Sequence, residues 1–313
     1  MKCFFVSDLH VDFYAPLSRT PSLLRHYFQY FFERNFLPAD ICCISCDISN
    51  NYFTYVAFLK FIAEKYGQVY VCLGNHDIIY ERRSDFGADR DFPTSEEKIA
   101  YFLREAAKIP NLHLLENAIA PMPLEGGAGT CSPEGSLPVS GSNSSADSPR
   151  VLNGASIAGC LGMCDFSYRH SPDATAENYK YIWRSRWFDG RHWNYQGNDP
   201  DALWEHYSGV MMNLTAARPK VMMTHFLPLE FDMAQRYRDD PCSAYFYFQG
   251  DPFLKNLDEG SIWQAGHTHC AIRKVVRDSL GKSHLLLCNP VGYPNEYPYE
   301  EFGLSREDFL LEI

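Results

Sequence analysis

The sequence predicts a layered α/β fold, and three observations carry that prediction. Short, almost wholly apolar runs recur along the 313 residues. Stretches with helical spacing separate them. Polar residues able to hold a metal cluster where the apolar runs end. Continuous apolar runs of this length fit strands buried on both faces, and their alternation with helices implies sheets covered by helices. These features alone do not separate a two-sheet sandwich from a doubly wound sheet.

KCFFVS (2–7) opens the chain as a strand. PSLLRHYFQYFFERNF (21–36) starts on Pro, which is favoured in a first helical turn, and sets Leu24, Tyr27, Phe28, Phe31 and Phe32 at helical spacing. This aromatic stripe is expected to face the core rather than a membrane or a partner. DICCIS (40–45) is the next strand. NYFTYVAFLKFIAEKYG (51–67) follows as a helix, with Gly67 suited to its C-cap. QVYVCL (68–73) is a strand, and SEEKIAYFLREAAK (95–108) is an amphipathic helix whose acidic first turn suits the helix dipole. Residues 125–150, rich in Gly, Ser and Pro, keep no period and are expected to be a flexible insertion. PKVMMT (219–224), SIWQAG (261–266), HLLLCN (284–289) and the terminal DFLLEI complete the strands. No linker divides two cores, so 1–313 is expected to be a single domain, with 161–215 as a helical cap or lid within it.

Hydrophobic residues at 46% and charged residues at 21% are ordinary for a chain that buries a core. Aromatics at 15% are high and suggest aromatic-lined layers or pockets. The net charge of -11 argues against a nucleic-acid surface. A phosphate substrate stays open, because bound cations reverse a local field. No run approaches the roughly 18 apolar residues of a membrane span, and the N-terminus lacks the apolar core of a signal peptide, so a cytoplasmic protein is expected. Cys3, Cys42, Cys43, Cys72, Cys160 and Cys288 sit in apolar runs and are expected to be reduced, buried thiols.

Five short pieces carry the chemistry. SDLH holds Asp8 and His10, which, two apart, would project to one side of an extended segment. Asp47 follows an apolar run in CDISN, and Asn75 and His76 follow another in GNHD. His225 directly follows PKVMMT, and His267 and His269 repeat the two-residue spacing in GHTH. Each piece alone is ordinary: D-x-H is common in surface turns, and a lone His is often a satisfied core residue. In this order, each after an apolar run, they form a mixed carboxylate, imidazole and amide set suited to Mn, Fe or Zn. A carboxylate shared between two ions would explain how so few residues hold a pair, and paired metals are a recurrent device for hydrolysing phosphate esters.

The order D-x-H, D-x-x-N, GNHD, H, GHxH resembles the calcineurin-like metallophosphoesterase superfamily, whose five-part signature runs here from residue 8 to residue 269. The resemblance implies a four-layer α-β-β-α sandwich of two β-sheets flanked by helices, with two divalent or trivalent ions at the C-terminal strand ends. By matching position, Asp8, His10, Asp47 and His269 would hold one ion, and Asp47, Asn75, His225 and His267 the other. His76 would stand beside the leaving group, and Gly74 would let the backbone turn sharply. The implied activity is hydrolysis of a small-molecule phosphate ester by a hydroxide bridging the ions, with manganese, iron or zinc as cofactor. A nuclease or cyclic phosphodiesterase is the alternative enzyme, and a non-catalytic scaffold the alternative class. The acidic balance counts against the first, and the presence of every ligand position and His76 counts against the second. Oligomeric state is not legible.

Two positions depart from the family pattern. Cys46 stands where Gly usually precedes the bridging Asp; its side chain either crowds the metals or points into the core. Asn50 stands where an Asp usually orients the GNH imidazole. An amide can orient that ring but stabilises an imidazolium less, and Asn50 could also cap the helix at 51–67. For the substrate, WRSRWFDGRHWNY (183–195) offers Arg184, Arg186, Arg191 and His192 to anionic groups and Trp187 and Trp193 for stacking. The plainer alternative is a helix end with solvated charges. NPVGYPNEYPY (289–299) would bring Tyr293 or Asn295 near the site.

Overall fold

The computed structural model describes residues 1–15, 20–82, 90–123, 137–138, 155–229, 237–299 and 303–313. The expected insertion at 125–150 therefore lies outside the described residues, apart from 137–138.

The described residues form two main sheets. The first has the order β14–β1–β2–β3–β4, with β1 Lys2–Ser7, β2 Ile41–Ser45, β3 Gln68–Cys72, β4 Leu112–Leu114 and β14 Leu310–Glu312. β1 to β4 run parallel, and β14 closes the edge antiparallel to β1. β1 and β2 are buried almost throughout, as their unbroken apolar runs require. The second sheet has the order β12–β13–β11–β8–β7–β5–β6, with β5 Ala118–Pro121, β6 Leu137–Pro138, β7 Ser156–Gly159, β8 Val221–Met223, β11 Ile262–Ala265, β12 Ile272–Arg277 and β13 Ser283–Cys288. A small parallel pair, β9 Leu227–Pro228 and β10 Tyr247–Phe248, lies apart from both.

The two sheets face each other and are tied together at the ends that matter. Gln264 on β11 donates its side-chain amide to the carbonyls of Val6 (2.8 Å) and Cys43 (3.1 Å) in the other sheet. Asn289 donates to Phe5 O at 2.6 Å, and Ser7 bridges to Pro290. Buried amides matched to backbone carbonyls set the relative height of the sheets, because sliding either would leave these groups unpaired. The result is the two-sheet α/β sandwich flanked by helices.

Helix α1 (Val11–Tyr14) is a single turn. Helices α2 (Pro21–Asn35) and α3 (Tyr52–Ala63) cover the first sheet, joined by edge-packed Phe28, Phe31, Phe36 and Phe58. Each such buried ring contributes about 1.5–3 kcal/mol. α4 (Ser95–Ala106) is capped by the Thr94 hydroxyl, which accepts from Glu97 N. Three helices follow β7: α5 (Ala176–Ser185), α6 (Phe188–His192) and α7 (Pro200–Ala216), with α8 (Asp251–Leu254) before β11.

The structure corrects two local expectations. The cap of α3 is Asn51, whose Oδ1 accepts from Phe53 N and Thr54 N, so Asn50 is left for another role. The same helix ends at Ala63 on a right-handed Glu64, so Gly67 is not its cap. All ten described cysteines are free, and nine of them are buried. Among the described residues no helix is long and apolar enough to cross a membrane.

Candidate metal centre

The chemistry-bearing residues lie just beyond the strands, in turns. β1 stops at Ser7, and Asp8 and His10 both have left-handed backbone (φ 50° and 43°). So do Asp47 (φ 59°) after β2, and His267 and His269 (φ 74° and 51°) after β11. The expectation that Asp8 and His10 share one side of an extended segment is thus replaced: two sharp reversals, not strand alternation, bring them together. Asp and His enter this region more readily than most residues, yet a left-handed non-glycine residue still costs of order 1–3 kcal/mol. The surrounding hydrogen bonds hold it: Asp8 N donates to Cys46 O, His10 N to Asp47 O, and Gly292 N to Asp8 O.

The side chains converge as two interlocked triads, Asp8–His10–His269 and Asp47–His225–His267. His10 Nε2 lies 3.0 Å from His269 Nε2, and His225 Nε2 lies 3.1 Å from His267 Nδ1 and 2.6 Å from Asn75 Oδ1. Asp47 Oδ2 stands between the groups, 3.8 Å from His10 Nε2 and 3.4 Å from His225 Nε2.

A surrounding layer orients these groups. Asp77, the last residue of GNHD, accepts from the backbone nitrogens of Asp47, Ile48, Ser49 and Gly74, binding the turn after β2 to the turn after β3. A Cβ at Gly74 would overlap Asp47 Oδ1 and the Asp47 backbone. Close approach, rather than a left-handed turn, is why this position is glycine. His267 directs Nε2 at Tyr245 O (3.3 Å) and His269 directs Nδ1 at Glu296 Oε2 (2.6 Å), which leaves His267 Nδ1 and His269 Nε2 free to ligate. Asp189 accepts from Asn75 Nδ2 at 2.7 Å, so the amide oxygen turns inward, and the Trp193 indole donates to Asn75 O. Asp77, Asp189 and Glu296 were missed in the sequence. Only Asp77 carried a signal there, its place directly after GNH.

The donor set fits cations. Burial pushes the Asp8 carboxyl up to about 6 and the Asp47 carboxyl well above its usual range. Burial also drives the His10 and His225 imidazoles well below their ordinary value, and His267 to about 3. For His269 burial acts downward, but the Glu296 hydrogen bond and the Asp8 charge leave it raised. Among the described residues no Lys or Arg pairs with Asp8 or Asp47. Buried carboxylates set among imidazoles, with no Lys or Arg among the described residues to pair them, are what a bound cation relieves.

His76 lies at the edge of this cluster. Its Nδ1 meets Asn50 Oδ1 at 2.8 Å, its Nε2 is 3.5 Å from the Tyr293 hydroxyl, and its ring stacks on Phe188 at 4.6 Å. Burial first, then the charge of His269, lowers its pKa to about 3. Cys46 is fully buried, its Sγ 3.6 Å from Ile44 O, so its side chain turns back against its own strand. Asn50 N donates to Asp12, and the buried Lys98 ammonium donates to Asn50 O at 2.7 Å, which fixes the loop carrying the amide.

A cavity of about 270 Å³ opens onto Asp47, Asn75, His76, His267 and His269. The other expected substrate contacts divide. Tyr293 and Trp187 line it. Arg184, Arg186, Arg191 and His192 do not: Arg184 pairs with Asp199 at 3.2 Å, Arg186 and Arg191 are exposed, and His192 stacks behind Phe188. Trp193 is buried in its bond to Asn75 O, and Asn295 is exposed while its neighbour Glu296 makes the contact. Arg184 and Arg191 fall on solvent-facing positions of α5 and α6, and Arg186 in the exposed turn between them, where a guanidinium keeps its hydration.

An α/β sandwich with two triads of metal-ligating side chains at its strand ends defines a metal-dependent hydrolase of the two-sheet kind. The family pattern for calcineurin-like phosphoesterases matches residues 1–271, and the chain belongs to that family. Its members are metal-dependent enzymes acting on phosphate esters, and the two triads are its candidate metal sites. Among solved structures, the chain is similar to the phosphopantetheinyl hydrolase PptH from Mycobacterium tuberculosis, at 15% identity over 95% of this chain and 93% of that one, with a TM-score of 0.56. That likeness concerns the fold. A comparison with curated proteins finds none that matches.

Proposed function

We propose that the chain is a dinuclear phosphoesterase hydrolysing a small phosphate ester in the cavity beside Asp47. The observation that carries this reading is the position of Asp47 Oδ2, within 3.8 Å of an imidazole from each triad. One carboxylate is thereby available to both sites. Asp8, His10, Asp47 and His269 would hold one ion, and Asp47, Asn75, His225 and His267 the other. The mixed nitrogen and oxygen donors suit Mn, Fe or Zn. Such ions supply Lewis acidity, which activates water near neutral pH and offsets phosphate charge.

The remaining work falls to the chain's own side chains. His76 is at the leaving-group side, with Asn50 fixing its ring through Nδ1 and its Nε2 left toward the cavity. Burial, then the neighbouring imidazoles, hold its pKa well below the ordinary value, so the free ring favours the neutral form. The negative charge of a bound phosphate raises the pKa, so His76 gains its proton with the substrate and gives it to the departing oxygen. Tyr293, whose ring stacks on His10 at 4.3 Å, presents its hydroxyl to the same place and orders the leaving group. Phe188 covers the other face of His76 and keeps bulk water from it.

The test is hydrolysis of phenyl phosphate and of bis(p-nitrophenyl) phosphate by the protein reconstituted with Mn²⁺, against the chelator-treated protein. Turnover of at least one ester, lost on chelation and restored by metal, is expected. Absence of turnover with manganese, iron and zinc alike overturns the proposal.

A further inference from the structure

Resting on the hydrolase reading, we infer that the substrate carries a single phosphate on a neutral or cationic organic group with flat or alkyl surface, and that a second anionic group is rejected. The cavity beside the triads is lined by aromatic rings: Trp187, Phe188, Tyr237, Phe246 and Tyr293. The rings are held rather than loose, with Trp187 stacked on Tyr245 at 4.2 Å and Phe246 against His267 at 4.3 Å. Apart from the candidate ligands and Asp189, the charged side chains in the described lining are Asp240 and Glu296. No Lys or Arg belongs to that lining, and the neighbouring Arg238 and Asp239 are exposed outside it.

Both carboxylates are fixed in place. Asp240 accepts from Cys242 N at 2.8 Å, and Glu296 accepts from Tyr293 N at 2.7 Å and from His269. Sites that read phosphates or carboxylates through the protein do so with Arg, Lys or a helix N-terminus. Among the described residues of the lining, the place suited to neutralise an anion is the metal cradle. Beyond it, aromatic faces with carboxylates at the rim favour planar, alkyl or ammonium groups, and a second anion meets like charge. The volume, about 270 Å³, is below the roughly 300–1,000 Å³ usual for ligand pockets and suits a small group.

A matched series tests this: benzylphosphonates bearing 4-methyl, 4-(trimethylammonio)methyl or 4-carboxymethyl, titrated by calorimetry into the manganese-loaded protein, with the corresponding benzyl phosphates as substrates. The ammonium compound should bind about tenfold or more tightly than the carboxylate, the scale of a desolvated cation–aromatic contact, with the methyl compound between them. Asp240→Asn should narrow the ammonium-to-carboxylate ratio about threefold, the scale of a partly exposed ion pair. Equal or tighter binding of the carboxylate, or no binding by any of the three, overturns the inference. If the phosphonates discriminate as expected while none of the phosphates is hydrolysed, the hydrolase reading fails and the ligand class stands. Equal turnover of all three phosphates has the opposite meaning.

Discussion

The metal cradle and the aromatic wall of the cavity beside it are built by different means. The cradle is backbone-made: strand ends stop short, the chain reverses through left-handed residues, and Asp77 stitches two of the turns together through four backbone amides. The wall is side-chain-made, from rings hung on α6 and on the segments at 237–248 and 292–296. A site defined by backbone turns tolerates almost no change, because each ligand direction depends on a hydrogen-bonded reversal. A site defined by rings on short helices can change its contents without moving its frame. On this view catalysis belongs to the strand ends and selectivity to the wall.

The largest expected effects break the cradle. Asp47→Ala removes the carboxylate that serves both triads, so metal content and activity should be lost together, by more than the roughly 10²–10⁴-fold that one general acid supplies. His76→Ala should leave both ions in place and slow turnover within that same range of about 10²–10⁴. Metal analysis of the two purified variants beside their kcat separates the roles. Equal metal loss in both would sink the division drawn here between His76 and the ligands.

A middle-sized effect tests the seam between the two regions. Asp189 belongs to α6, on the wall side, yet its carboxylate orients Asn75 in the cradle. Burial raises it to about 7 despite the hydrogen bond from Asn75. Asp189→Ala should weaken the ion held by Asn75, Asp47, His225 and His267 by about 10–100-fold, the usual cost of losing an orienting partner. The ion beside His10 should be little changed, and Asp189→Asn, which keeps an oxygen acceptor, should recover part of the loss. Two-site metal titration reads this directly. Uniform weakening of both sites would mean that Asp189 only supports folding.

The same contrast explains what was legible in the sequence. Asp8, His10, Asp47, Asn75, His225, His267 and His269 stood out because metal chemistry restricts the residue types and each follows a recognisable apolar run. Their left-handed backbone did not stand out, since no side chain announces it, and strand alternation was a reasonable but mistaken route from Asp8 to His10. The two-sheet architecture came only through the family resemblance, because buried parallel strands look alike in one sheet or two. Asp189 and Glu296 were hidden by distance: their partners lie 114 and 27 residues away, and a lone acid carries no sign of what it will orient. The arginines at 184, 186 and 191 misled for the converse reason. Their chemistry suited a phosphate, but the helix period that buries Trp183 turns Arg184 to solvent, and Arg186 lies just past the end of α5 on exposed, non-helical backbone.

The smallest expected effect concerns Asn50, where the chain departs from its family. The amide fixes the His76 ring at 2.8 Å but adds no charge. A carboxylate in its place would stabilise the imidazolium and raise the His76 pKa from its depressed position. A general acid must be protonated to act, so activity falls as pH rises through its pKa. Raising that pKa extends activity to higher pH. Asn50→Asp should therefore move the alkaline limb of the kcat profile upward by about one unit, the scale of a nearby opposite charge, with metal content unchanged. The neighbouring charges temper the gain: Asp12 accepts from Asn50 N and would repel the new carboxylate, while the Lys98 ammonium, bonded to Asn50 O, would attract it. A profile that does not move would show that the ring is held by geometry alone and that its proton affinity is governed by the bound phosphate.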